Sequence, residues 1–311
     1  MTTQTINAIQ VHDYGDADQL KLEQIPQPEP REGEVLVRLH AAGVKPVDWK
    51  IRSGWMKDFR PITFPYVPGA DLAGVVAKVG SGVTAWQLGQ EVFGRGSQGT
   101  YAEYALAPAA TLALKPPSLS FEEAATIPVG ATTAWQGLFD HGNLQSGQRV
   151  LILGGAGGVG LYAVQFARWK GAQVIATTSS GNVDFVSSLG AETVIDYTRT
   201  RVGDEVHDVD LVLDTVGGAA LTGIFPTLKR GGTLVSIAGR PDEAQAREAG
   251  VRIASFSAQV TSELLTTVAQ LIEAGQVKAV VGATFPLSEA GKAQELSRSG
   301  HGRGRIVLRI A

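Results

Sequence analysis

Three glycines at fixed spacing, followed by a run of hydroxyl side chains, are the residues in this chain best placed for chemistry. Gly155, Gly157 and Gly160 satisfy G-x-G-x-x-G. The pattern has meaning only between a strand and a helix. Here it follows the buried-strand run Val150-Leu151-Ile152-Leu153 and precedes a stretch with apolar residues at Leu161, Val164 and Ala167. In such a turn the first glycine makes the bend, the second lets a pyrophosphate approach the backbone, and the third lets helix and strand pack closely. The amides opening the helix face the phosphates. The segment therefore reads as a dinucleotide site.

The choice of dinucleotide turns on the residues just past the second strand. A carboxylate about 20 positions past the glycines holds the ribose 2′-hydroxyl in NAD-binding folds. Here Gln173-Val174-Ile175-Ala176 runs into Thr177-Thr178-Ser179-Ser180-Gly181-Asn182, with no acid. Small hydroxyl donors can bond a 2′-phosphate that a carboxylate would repel, so NADP is expected. Asp196-Tyr197 closes the third strand on the rim where an adenosine would lie. Tyr197 can pack on the adenine, donate to the 2′-phosphate, or serve as an ordinary surface tyrosine.

Other chemistries lack their residues. The chain has no cysteine, which removes disulfides and thiolate zinc sites. His12, His40, His141, His207 and His301 show no paired ligand spacing, so no metal is expected. No G-x-S-x-G elbow offers a serine nucleophile. The chemistry must come from the cofactor, with the protein supplying position and electrostatics.

The elements that position these residues fall into two patterns. At 311 residues, 44% hydrophobic and 18% charged, the chain should form about two globular domains with substantial cores. Its net charge of -3 leaves no electrostatic footprint for nucleic acid or an anionic membrane. The longest uncharged apolar stretch, 150–164, falls short of the about 18 residues that span a bilayer. The start MTTQTIN lacks the basic and apolar regions of a signal peptide, and a cytoplasmic location is expected. The first 115 residues read as all-β, with strands at 6–11, 20–25 and 34–42 and frequent Gly and Pro punctuation. Ser120-Phe121-Glu122-Glu123 is a capping-box signature for a helix that should stop before Pro128. Beyond it, strands at 150–154, 173–178, 193–196, 209–214, 233–238 and 251–256 alternate with helices, which implies a parallel, doubly wound sheet. A helix over 261–274 leads out, and 278–284 and 305–310 return to strand character. The expected organisation is a substrate domain of residues 1–123 plus 260–311, with a dinucleotide domain, 124–259, inserted in it.

Taken together, the chain resembles the medium-chain dehydrogenase/reductases, specifically their zinc-free quinone oxidoreductase and enone reductase branch. The resemblance rests on the segments 41–50 (AAGVKPVDWK) and 65–74 (PYVPGADLAG), on Gly99 to Tyr104, and on Thr133-Ala134. The glycine motif, Leu189-Gly190-Ala191, Ile195-Asp196-Tyr197, 214–218 (DTVGG) and the ending 304–308 (GRIVL) extend it over essentially the whole chain. Zinc-dependent relatives carry a cysteine near Lys45 and Gly-His-Glu where Gly69-Ala70-Asp71 stands. The fold so implied is α/β, a Rossmann sheet inserted into a GroES-like β-barrel domain.

The resemblance also implies roles. Lys50 matches the lysine of the Val-Asp-x-Lys segment that reaches the nicotinamide ribose. Lys45 stands where relatives commonly have asparagine; it can donate to a developing enolate oxygen or point to solvent. Thr133 approaches the nicotinamide end, and Ala156, Gly157, Gly158 and Val159 hold the pyrophosphate. Ser179, Ser180, Asn182 and Tyr197 take the adenosine phosphate. Ile237, Ala238, Gly239, Phe256 and Ser257 border the nicotinamide, and Gly302, Arg303 and Gly304 form a returning loop. Trp49, Trp55 and Phe64 are candidate substrate-lining residues.

The implied function is NADPH-dependent reduction of quinones or α,β-unsaturated carbonyls, small molecules, by a chain expected to form a homodimer through the edge of its nucleotide-domain sheet. Two alternatives stand beside it. An enoyl-thioester reductase would need a basic entrance, for which Arg52, Lys57 and Arg60 lie close in sequence. A non-catalytic NADPH-binding redox sensor would bind without turnover.

Overall fold

The computed structural model describes residues 4–97, 99–300 and 302–311. They divide into two compact units: unit 1 holds the described residues of Met1–Val129, Val260–Glu273 and Ala279–Ala311, and unit 2 those of Gly130–Gln259 and Ala274–Lys278.

Unit 1 is built on one long strand. β1 (Thr5–Gln10) and β2 (Lys21–Pro26) form an antiparallel pair, and β3 (Glu34–Val44) follows. β3 buries Val35, Val37 and Leu39 as their alternation requires, and buries Leu36 and Ala41 to Val44 as well. Such a strand needs partners on both edges. β4 (Asp71–Val79) and β6 (Tyr104–Pro108) both pair antiparallel with β3, and β5 (Glu91–Arg95) and β7 (Leu112–Leu114) extend the sheet beyond β4. Leu72, Val76, Val92, Ala105 and Leu112 close a core against β3.

The all-β reading of the first 115 residues missed α1 (Pro46–Arg52). Pro46 pre-sets the φ angle of a first helical position, and Asp48 Oδ2 accepts from Lys45 N at 2.8 Å, tying the turn shut. After β7 comes α2 (Phe121–Ala125). Its capping box has formed: Glu123 N donates to Ser120 Oγ at 3.1 Å and Ser120 N to Glu123 Oε2 at 2.9 Å.

Unit 2 carries the strand–helix alternation: most of α3 (Pro128–Trp135), then β8 (Arg149–Leu153), α4 (Gly160–Trp169), β9 (Gln173–Thr178), α5 (Val183–Ser188), β10 (Thr193–Asp196), α6 (Val202–Glu205), β11 (Val209–Asp214), β12 (Leu228–Ser236), α7 (Glu243–Ala249) and β13 (Arg252–Ala254). The six strands form one parallel sheet in the order β10-β9-β8-β11-β12-β13. That is the doubly wound order of a dinucleotide-binding sheet, whose ligand lies at the carboxyl ends of the strands near the β8 switch point. β8 is buried at Val150 to Leu153, and Leu161 to Ala167 of α4 are buried without a break.

The chain then returns to the first sheet. α8 (Ser262–Glu273), β14 (Val281–Pro286), α9 (Ala290–Ser299) and β15 (Arg305–Arg309) belong to unit 1, where β15 pairs antiparallel with β3 and parallel with β14. No helix among the described residues is long and apolar enough to cross a membrane.

Candidate cofactor and substrate sites

The turn between β8 and α4 can be tested against a dinucleotide by asking what a β-carbon would meet at each glycine. At Gly155 it would lie 3.0 Å from both Ala176 Cβ and Val186 Cγ1, and at Gly160 only 2.0 Å from Gly154 O. These two glycines are required by the protein's own packing. At Gly157 the nearest atom is Gly154 O at 3.4 Å, and nothing else lies within 4 Å. Gly157 therefore opens outward, as a glycine reserved for a ligand's approach should.

The amides agree. Gly155 N donates to Thr177 O and Gly157 N to Gly154 O, whereas those of Ala156, Gly158 and Val159 donate to no described residue. Together with the N-terminus of the ten-residue α4, they form an anion cradle. The residues fit a pyrophosphate.

Neighbouring loops are braced by short polar bonds. Gly154 N donates to Thr177 Oγ1 at 3.0 Å and Thr215 Oγ1 to Leu153 O at 2.7 Å, so β8 is tied to β9 and β11 at its carboxyl end. Asp214, fully buried, accepts from Val216 N, Gly217 N and Ser236 Oγ at 2.9, 2.8 and 2.6 Å. Gly239 N in turn donates to Ser236 Oγ at 3.1 Å, which fixes the loop holding Ile237, Ala238 and Gly239. Asp214 carried no assigned role in the sequence reading, although it opens the 214–218 signature. Phe256 stacks on the His141 ring at 4.3 Å, and Ser257 beside it is exposed. Thr133 is buried on α3.

Beyond β9 the hydroxyls are not all free. Asp196 and Thr178 are register partners across the β9–β10 pair. Ser180 Oγ donates to Asp196 Oδ2 in a very short bond, and Thr198 donates to Asp196 Oδ1 from both its amide, at 3.0 Å, and its hydroxyl, at 2.6 Å. These bonds, Ser180 first, hold the Asp196 carboxyl below its ordinary range. Asn182 Nδ2 reaches Ser179 Oγ at 3.4 Å, and Tyr197 is exposed. Sequence reading placed Asp196 on the rim but gave it no part. Its signal was the strand register, which pairs it with the end of β9.

Unit 1 holds a different arrangement. Lys45, Asp71 and Arg305 are all buried. Lys45 Nζ donates to Asp71 Oδ1 at 3.2 Å and Arg305 Nη2 to Asp71 Oδ2 at 2.5 Å. The option that Lys45 points to solvent is thereby excluded: it is 4% exposed and its ammonium is committed to Asp71. Asp48, also buried, accepts from Tyr101 Oη at 3.0 Å, and burial raises its carboxyl above the ordinary range despite the nearby Lys45 charge.

The other candidates of unit 1 are more open. Lys50 Nζ stands 4.9 Å over the Trp55 ring and 5.8 Å from the Trp49 ring, and Trp55 is exposed. Phe64 packs edge-on to Tyr14 at 4.9 Å, within an aromatic cluster of the fold. Gly302 and Arg303 are exposed in the turn before β15, and Gly304 is half-buried there. Arg52 does not contribute to a basic entrance with Lys57 and Arg60. It is fully buried, donating to Gln294 Oε1, Gly15 O and Glu295 Oε1 at 2.7, 2.8 and 3.1 Å.

Among the described residues no group of three His, Cys, Asp or Glu could hold a metal. His12 pairs with Glu23 and His40 stacks on Phe121. His301, counted with them in the sequence, lies outside the described residues.

Known proteins resemble this chain over nearly all of its length. Residues 31–117 match the family model of the alcohol dehydrogenase GroES-like domain, and residues 189–308 that of the zinc-binding dehydrogenases. The chain is 34% identical to a chloroplast envelope quinone oxidoreductase homolog of Arabidopsis thaliana, over 99% of each. It is 36% identical to an NADPH-dependent alkenal/one oxidoreductase of the same plant, over 95% of this chain and 77% of that one. Among solved structures, the quinone oxidoreductase of Coxiella burnetii superposes with a TM-score of 0.90 at 33% identity, covering 99% of this chain and 100% of that one.

Proposed function

We propose a cofactor and site roles for a chain that belongs to the zinc-free quinone oxidoreductase branch of the medium-chain dehydrogenase/reductases. It is an oxidoreductase that passes hydride from a nicotinamide cofactor to quinones or α,β-unsaturated carbonyls. The open Gly157 position, backed by unspent amides at Ala156, Gly158 and Val159, is the observation that carries the cofactor's place. When bound, the cofactor supplies a hydride from its nicotinamide ring; such acceptors are electrophilic enough to take it without a metal.

The finer choice is NADPH. It is supported by the absence of an acid in 177–182, by the Ser179 hydroxyl, and by the NADPH dependence named for a relative. Ser180, Asn182 and Tyr197 are assigned to the adenosine end with Ser179. Thr133, the 237–239 loop, Phe256 and Ser257 are assigned to the nicotinamide end. In unit 1, Lys50 is the proposed donor to the cofactor, and Gly302, Arg303 and Gly304 complete the proposed set. Lys45 is the weaker of the two lysine candidates, because the charge it would offer a substrate oxygen is already balanced by Asp71. The proposed assembly is a homodimer formed through the β13 edge of the unit 2 sheet, to be read by light scattering.

Dissociation constants for NADPH and NADH test the cofactor reading. Tighter NADPH binding is expected, and equal or tighter NADH binding would overturn that choice. Activity should survive a strong chelator; loss restored by zinc would contradict the metal-free assignment.

A further inference from the structure

Near the end of β9 a carboxylate stands where the sequence offers only hydroxyls. Asp196 ends β10 in register with Thr178, so its backbone lies about 4.8 Å, one strand spacing, from the end of β9. The adenosine ribose of a bound dinucleotide lies at that end of the second strand. The Ser180 hydroxyl, one of the groups available to a 2′-phosphate, spends its single proton on Asp196. The lone pairs it has left are repelled by a phosphate oxygen and can only accept. The Thr198 hydroxyl proton goes to the same carboxylate. Arg199 Nε is 3.7 Å from Asp196 on a side chain 80% exposed, too loosely held to cancel the charge.

We propose that Asp196 is the specificity-determining residue for the cofactor's 2′ position. It withdraws the Ser180 hydroxyl from the 2′-phosphate and adds a negative charge beside it, so the chain accepts NADH as well as NADPH. The proposal rests on the nucleotide-binding reading above and deepens it. The preference for NADPH is carried by Ser179 and its neighbours and held down by Asp196. Neutralising Asp196 removes the repulsion and leaves a weaker, uncharged acceptor to hold the Ser180 proton, so affinity for the 2′-phosphorylated cofactor rises while affinity for the other does not.

The test is binding of 2′,5′-ADP and 5′-AMP, adenosine fragments that differ only in the 2′-phosphate, to the full chain by calorimetry. Wild type should bind both. Asp196→Asn should raise the affinity ratio in favour of 2′,5′-ADP at least about fivefold, somewhat less than the roughly tenfold that one full charge-assisted hydrogen bond supplies. Asp196→Asn combined with Ser180→Ala should give back most of that gain. Raising the salt concentration should narrow the difference between wild type and Asp196→Asn, because the repulsion is screened. A ratio unmoved in a folded Asp196→Asn protein, or a gain equal for both fragments, would overturn the role of Asp196 and leave the nucleotide site standing. Failure of wild type to bind either fragment, NADPH or NADH would remove the nucleotide site and this proposal with it.

Discussion

The glycine turn of unit 2 and the ionic cluster of unit 1 handle charge in opposite ways. The turn has no charged side chain. It offers the Ala156, Gly158 and Val159 amides and the start of α4, all unspent until an anion arrives. The cluster is closed on itself: Asp71 takes Lys45 on one oxygen and Arg305 on the other, with Asp48 and Tyr101 bonded beside them. An open donor set is built for affinity. A buried, mutually bonded set bears first on stability, because either partner left alone is an uncompensated charge away from water.

The contrast is broken most directly at Asp71. Asp71→Ala strands Lys45 and Arg305 and should cost about 3–5 kcal/mol of unfolding free energy. Lys78→Ala removes an ion pair with Glu29 in the same unit, but that pair is exposed and should cost at most about 1 kcal/mol. Urea midpoints measured on both proteins decide it; equal shifts would mean that burial does not distinguish the two pairs.

Gly157→Val probes the other side of the contrast. Its β-carbon meets only Gly154 O, so the fold should hold by circular dichroism. NADPH affinity should fall by about a hundredfold, the equivalent of roughly 2.7 kcal/mol. Full affinity in the folded variant would move the dinucleotide off this turn.

Lys50→Met is expected to lower kcat/KM with NADPH about ten- to hundredfold, the loss of one charge-assisted hydrogen bond worth about 1.5–3 kcal/mol. Lys45→Asn should leave turnover largely intact. Normal kinetics in the first and lost turnover in the second would reverse the ranking of the two lysines.

The smallest effect sharpens the picture of the cluster through pH. Burial raises the Asp48 carboxyl above its unfolded value of 3.8, so folding favours its protonated form. The stability tied to that proton is fully present below the unfolded value and is lost as pH rises through the folded one. Asp48→Asn keeps an acceptor for Lys45 N and Tyr101 Oη without the ionisation. Its stability relative to wild type should therefore grow from about pH 4 toward neutrality, and a gap constant over that range would contradict the assignment.

What could be read from the sequence divides along the same line. The glycine turn lies in one contiguous stretch, and its strand–turn–helix frame could be read from spacing alone. The doubly wound sheet followed from alternation. The cluster joins residues 45, 71 and 305, whose meeting depends on the β3–β4 and β3–β15 pairings that no local pattern encodes. α1 was hidden because seven residues with few apolar repeats give a weak helical period, and only Pro46 and Asp48 mark it. Asp196 was visible as an acid, but its hold on Ser180 is a product of register across two strands. Arg52 looked like a surface cation; packing against Gln294 and Glu295 of α9, far along the chain, buried it.

The most direct test of the central claim is consumption of reduced nicotinamide, followed by its absorbance, with NADPH in excess and a panel of quinones and free enones as acceptors. Oxidation by at least one acceptor class in wild type, lost in Gly157→Val, is the predicted result. NADPH that binds tightly but is oxidised by no quinone and no enone would contradict the account and leave a nucleotide-binding protein without this reaction.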